Sequence, residues 1–344
     1  MKILQSIQKT EMSDAVRAKF AMTIPVLQAT ASSLAGDRAR RLGGYSKLTM
    51  ADLAREAREG NGDAGICFEL AVHQAIEQRH PLLHPIVSEV LEKFCAIPEG
   101  AESILFGPEK NHVIPILEST QNALTEDSLV WVGNQGRPPK LKKYIPQIIN
   151  AFRRNEAKNN LPRSISGLWK ADLFLGGKKT DRWLGTTIKI NVEQLVGARG
   201  LRLGIYPKKN ANDNPRKDDD LNLIRIPLPY DGAFMEAFYK SFYLVRAFLK
   251  ADARVPPPIS LPDAEDRFIT KELELRRDFP VIDVLDVIED MSQPDLFDRA
   301  EVGNIEPAAS LTEAGLKDAP APSDLSDMVS LSPFSLTKRK FPLK

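Results

Sequence analysis

The sequence predicts an α/β protein. Three observations carry that expectation: apolar residues at helical spacing in the first hundred residues and again over 233–249, strand-like runs between 128 and 228, and Pro, Gly and Asp punctuation between them. A chain of 344 residues, 42% hydrophobic and 27% charged, is long enough for one large core with additions or for two small domains.

Taken in order, residues 1–60 read as helical. Thr49 is placed to cap a helix over 51–59 with Asp52 in its first turn, and Gly60 closes it before the turn Asn61-Gly62. Asp63 caps a second helix to about Arg79, and Pro81 and Pro85 separate it from a shorter one at 86–94. A short strand is expected at 128–132 and a basic amphipathic helix at 140–154. Two strand-like runs, 168–175 and 183–190, are joined by a loop with two glycines and three basic residues, and so read as a hairpin. A short helix at 192–198 and strands at 201–206 and 221–228 follow, with a polar, mobile loop expected at 208–220. Asp231 caps an apolar helix over 233–249, whose Phe234, Phe238, Phe242, Val245 and Leu249 form a core stripe. Pro256-Pro257-Pro258 marks a boundary before helices at about 264–277 and 282–290. Beyond Met291 the composition predicts a disordered, acidic tail. The expected division is thus a helical region over 1–60, an α/β core over 61–255, C-terminal helices over 256–290 and the tail over 291–344.

Several function classes are disfavoured. No apolar run reaches the roughly 18 residues needed to span a bilayer. The apolar stretch 20–30 follows Glu11 and Asp14 and is interrupted by Pro25 and Gln28, a poor export signal. Two cysteines build no disulfide framework, so a cytoplasmic, reducing setting is expected. His80 and His84 have ligand-like spacing, but Pro81 and Pro85 break the helix that would align them. No phosphate-binding loop of the Gly-x4-Gly-Lys-Ser/Thr kind occurs. The net charge of +1 conceals segregation. Residues 137–217 hold 19 Lys and Arg against 5 Asp and Glu, a net of +14, whereas 261–344 hold 10 against 18, a net of −8. A basic middle is suited to phosphate backbones, or to neutralisation by the chain's own tail.

Side chains alternate along a strand. Asp172 and Lys189 therefore share one face of the hairpin if the apolar residues of both strands cover the core. A carboxylate beside an ammonium suits phosphodiester hydrolysis: aspartate holds Mg²⁺ or Mn²⁺, lysine stabilises developing charge, and the Ile188 backbone carbonyl offers a further oxygen. A second acid is needed, and Glu69 shares an apolar helical stripe with Ile66, His73 and Ile76. An acid there either ligates a metal or pairs with a lysine.

The segments Cys67-Phe68-Glu69-Leu70, Lys170-Ala171-Asp172-Leu173-Phe174 and Gly185-Thr186-Thr187-Ile188-Lys189-Ile190-Asn191 resemble the PD-(D/E)XK, or restriction-endonuclease-like, nuclease superfamily over about 63–249. That resemblance implies a mixed central sheet flanked by helices. It also implies Mg²⁺-dependent cleavage of nucleic acid, with Glu69 and Asp172 as metal-site acids and Lys189 as the catalytic lysine. Thr187 departs from the pattern, which usually has an acid there; the resemblance makes Glu193, four residues after Lys189, the candidate replacement. Lys178, Lys179 and Arg182 at the hairpin tip, Arg199 and Arg202 beside the next strand, and Lys140, Lys142 and Lys143 form the expected substrate groove. The function expected is DNA cleavage, as in restriction or phage defence. The alternatives are a non-catalytic nucleic-acid-binding module and a subunit whose acidic tail docks on a protein partner.

Overall fold

The computed structural model describes residues 12–59, 64–98, 100–107, 117, 120–133, 137–165, 167–230 and 234–292. The caps expected at Asp63 and Asp231, the turn Asn61-Gly62 and almost all of the acidic tail lie outside them. The described chain is a mixed α/β fold.

The N-terminal helices are α1 (Asp14–Leu34), α2 (Gly36–Leu42), α3 (Met50–Glu59), α4 (Ala64–Glu77) and α5 (Leu83–Cys95). Strands β1 (Glu102–Leu105) and β2 (Leu129–Trp131) lead to α6 (Ile145–Arg153). The hairpin β3 (Leu173–Gly177) and β4 (Arg182–Ile188) precedes β5 (Leu203–Pro207), β6 (Arg216–Asp218) and β7 (Leu223–Leu228). Helices α7 (Met235–Lys250), α8 (Ala264–Glu274) and α9 (Val281–Ser292) complete the described chain. No helix among the described residues is long and apolar enough to cross a membrane.

Seven strands form one sheet in the order β1-β3-β4-β5-β7-β6, with β2 paired to β4. The β1–β3, β3–β4 and β6–β7 pairs are antiparallel, and β2–β4, β4–β5 and β5–β7 are parallel. Strand β4 serves two parallel neighbours in succession. Arg182–Leu184 pair with β2, and Thr186–Ile188 pair with β5. Gly185 sits at the change-over. A Cβ there would come within 2.6 Å of Val132 Cγ1 and 3.0 Å of Leu201 Cδ2, so close approach requires glycine.

Both faces of the sheet are buried. Leu173, Leu175, Leu184, Ile188, Leu203 and Ile205 pack with Phe20 of α1, Phe68 of α4 and Phe238 of α7. Phe174, Trp183 and Tyr206 pack on the other side with Ile148 of α6 and with Leu168, Leu195 and Leu201. Double coverage explains why Leu173-Phe174-Leu175 is a continuous apolar run.

Four expectations change. Residues 168–170 form a 3-10 turn rather than the start of a strand, because Ala171 N–H bonds back to Leu168 O at 3.1 Å. The segment 192–198 is also a 3-10 helix, begun by Asn191, whose side chain accepts from the Glu193 amide. The basic helix expected at 140–154 begins as a 3-10 turn at Leu141–Tyr144 and becomes α-helical only at Ile145. The loop expected at 208–220 carries β6, which pairs with β7; Arg225 ion-pairs with Asp218 at 2.6 Å, and Tyr206 and Arg216 both bond Asp213.

Candidate active site

The hairpin's open end, not its tip, carries the candidate chemistry. Asp172 immediately precedes β3, and Lys189 immediately follows β4. The Asp172 amide donates to Thr186 O at 2.8 Å, and the Lys189 amide donates to Ile205 O at 2.9 Å. Ladder-type bonds thus hold both backbones although each residue lies just outside its strand.

Three donors converge on one oxygen, Asp172 Oδ2. They are the Ile188 amide at 2.7 Å, the Thr187 hydroxyl at 2.8 Å and the Lys189 ammonium at 3.1 Å. The Asp172 side chain is 13% exposed and that of Lys189 27%. Charge-assisted bonds of this kind fix the carboxylate's orientation.

Glu69 approaches from α4. Its Oε1 lies 3.8 Å from Lys189 Nζ, and its side chain is 10% exposed. Helix α4 is pinned to β1 by two contacts on Ser103: His73 Nδ1 is 2.8 Å from the hydroxyl, and the backbone amide donates to Glu77 Oε1 at 2.7 Å. His73 lies one helical turn after Glu69, so this anchorage fixes where Glu69 is presented. The structure therefore brings Glu69, Asp172 and Lys189 together, from a helix and the two chain ends of a hairpin. Glu69 faces a lysine, and that lysine is Lys189.

The remaining sequence candidates fall elsewhere. Glu193 Oε1 pairs with Lys209 Nζ at 3.6 Å on a side chain 78% exposed. Thr187, fully buried, takes the place where an acid was expected and donates a hydrogen bond instead. Among the described residues, no group of three or more His, Cys, Asp or Glu side chains is placed to hold a metal ion. Lys178, Lys179 and Arg182 sit at the hairpin tip, the end away from Lys189, with seven residue steps or about 23 Å of chain from Arg182 to Lys189. Lys178 pairs with Glu102 at 3.0 Å. Lys140 pairs with Asp127 and Lys142 with Glu126, while Lys143 is exposed. Arg199 is exposed beside Lys170, whose ammonium bonds its carbonyl at 3.2 Å, and Arg202 donates to Gly133 O at 3.0 Å. The expected groove is thus dispersed, because a hairpin's tip and its open end are separated by the strand's whole length.

Sequence reasoning missed Thr187 and the Ile188 amide as partners of Asp172. The available signal was register: β3 and β4 pair Leu173 with Thr186, which sets Asp172 opposite Thr187. No protein-family model, curated protein or solved structure matches the chain significantly.

Proposed function

We propose that this protein hydrolyses phosphodiester bonds in DNA, using Glu69, Asp172 and Lys189. The observation supporting this reading is the packing of two carboxylates around one ammonium, 3.1 and 3.8 Å away. The donor chemistry fits a hard divalent cation: Mg²⁺ is commonly held by one or two carboxylates together with substrate phosphate oxygens. Glu69 and Asp172 would hold the ion, with the Ile188 carbonyl as a further oxygen. When bound, it would polarise the scissile phosphate.

The chain's own residues set the rest. Thr187 and the Ile188 amide hold the Asp172 carboxylate in place. Lys189 offsets the repulsion between the two acids and offers donors to a phosphate oxygen or to the attacking water, where negative charge develops. Its position at the carboxyl end of a strand with parallel neighbours is one where ligands of open α/β sheets bind.

The test is DNA degradation in Mg²⁺ or Mn²⁺. Asp172→Ala and Lys189→Ala are expected to lower the rate by about 10²–10³-fold or more while circular dichroism stays unchanged. Robust cleavage by both folded variants would overturn the proposal. A second reading, a nucleic-acid-binding module without catalysis, draws support from the Thr187 hydroxyl where the resemblance expects an acid. DNA binding without cleavage under any divalent metal would favour it.

A further inference from the structure

A cleft of about 350 Å³ lies between the C-terminal end of α5 and the sheet. Its lining includes Phe94, Cys95, Trp131, Arg182, Arg202 and Lys217. That volume falls within the range of small-molecule sites. Leu184, also in its wall, is five residues along β4 from Lys189, or about 16 Å, so the cleft is separate from the carboxylate–lysine cluster.

The charge in this cleft is unbalanced. Among the described residues, no Asp or Glu belongs to its lining. Among the described residues, neither Arg182 nor Arg202 makes an ion pair. Arg202 is partly buried; its Nη2 donates to Gly133 O at 3.0 Å, and its Nε is buried without an acceptor. Lys217 pairs at 2.6 Å with Asp219, a side chain 81% exposed, so that charge pair is screened by solvent. Cys95 supplies no counter-charge, since burial pushes its thiol up to about 11. A partly desolvated guanidinium without an anionic partner is costly, and an incoming anion would offset that cost.

The walls add a second requirement. Phe94 and Trp131 are partly exposed aromatic rings at the same cleft, suited to stacking on a flat ring and, with arginine nearby, to cation–π contact. One small molecule that carries both an anion and a flat ring is a nucleotide. We propose that this cleft binds a nucleotide, its phosphate against Arg182, Arg202 and Lys217 and its base against Trp131 and Phe94. The nucleotide is either free or one unit of a nucleic-acid strand; both present the same chemistry.

Isothermal calorimetry on the full chain with AMP and GMP tests this. Binding is expected, with ribose 5-phosphate and adenosine each weaker because each offers only half of the match. Arg202→Gln is expected to weaken AMP roughly tenfold or more, as for loss of a hydrogen bond from a charged group. Lys217→Gln, on an exposed edge strand, provides a second variant with little risk to folding and is expected to weaken AMP severalfold. Asp172→Ala should bind AMP as the unaltered chain does, which separates this inference from the hydrolase reading. In that same variant, a short single strand that displaces AMP identifies the source as nucleic acid, whereas failure to displace it identifies a free nucleotide. No binding up to about 1 mM would overturn the proposal. So would an affinity unchanged in both cation variants, or ribose 5-phosphate binding as tightly as AMP.

Discussion

Asp52 shows how one side chain sets a pH dependence. Thr49 and Asp52 cap α3 reciprocally: the Asp52 amide donates to Thr49 Oγ1 at 3.1 Å, and the Thr49 hydroxyl donates to Asp52 Oδ2 at 2.8 Å. Arg38 adds an ion pair at 2.9 Å. Burial pushes the Asp52 carboxyl up, but the Arg38 guanidinium and the Thr49 donors outweigh it and hold the group below its ordinary 3.8. A depressed folded value means that the stabilisation is present above 3.8 and is lost as pH falls through the folded value. Asp52→Asn should therefore cost about 1 kcal/mol at neutral pH, with the difference closing in acid. Urea melts at pH 7 and near pH 3 check this; an equal deficit at both would contradict it. At this scale much was legible. The spacing around Thr49 foretold the cap, and helical and strand periods singled out Glu69, Asp172 and Lys189. The Thr187–Asp172 bond was not foreseen, because it depends on which residues face each other across two strands.

Among elements, β4 is the pivot. It is the shared neighbour of β2, β3 and β5, and its only glycine lies where one parallel partner gives way to the next. Gly185→Ala would drive a methyl group against Val132, Leu201 and the Trp131 carbonyl, contacts of 2.6, 3.0 and 3.2 Å. Overpacking of this kind costs about 1–3 kcal/mol. The midpoint of urea unfolding should fall accordingly, and a variant as stable as the parent would show that β2 is free to yield. The strand runs other than β1 and β6 were legible as apolar segments. Their ends were not, since the 3-10 turn at Leu168–Lys170 and strand β6 arise from partners distant in sequence or from local bonds that propensity does not rank.

For the whole molecule, α1 is the central post. Its Phe20, Ile24, Val26 and Leu27 are almost wholly buried, and it packs against α4, α7 and α9. A helix buried on most sides carries little polar surface, which explains why residues 20–30 bear a weak likeness to an export signal. Its one deeply buried cation, Lys19, is 6% exposed and bonds Asp266 of α8 at 2.8 Å and the more exposed Glu265 at 3.1 Å. This pair ties the first described helix to the C-terminal helices across 247 positions. Lys19→Met should destabilise the protein by about 3–5 kcal/mol, because it leaves Asp266 buried without its cation. Combining it with Asp266→Leu should recover much of that loss. Thermal and denaturant unfolding of the three variants measures the coupling; additive losses would rule it out.

The sequence by itself determined the α/β class, the apolar helices, the hairpin, and the three residues around which the proposed chemistry is built. Those features are written in short-range periodicity, because a strand or helix imposes its own spacing on whatever residues it buries. Tertiary structure alone decided that both sheet faces are covered, that Glu193 turns to Lys209, and that Lys178, Lys179 and Arg182 sit at the hairpin's tip instead of at its open end. Composition counts charges without placing them. Only the register and direction of the strands bring Glu69, Asp172 and Lys189 to one point and set Arg182 and Arg202 around a separate cleft.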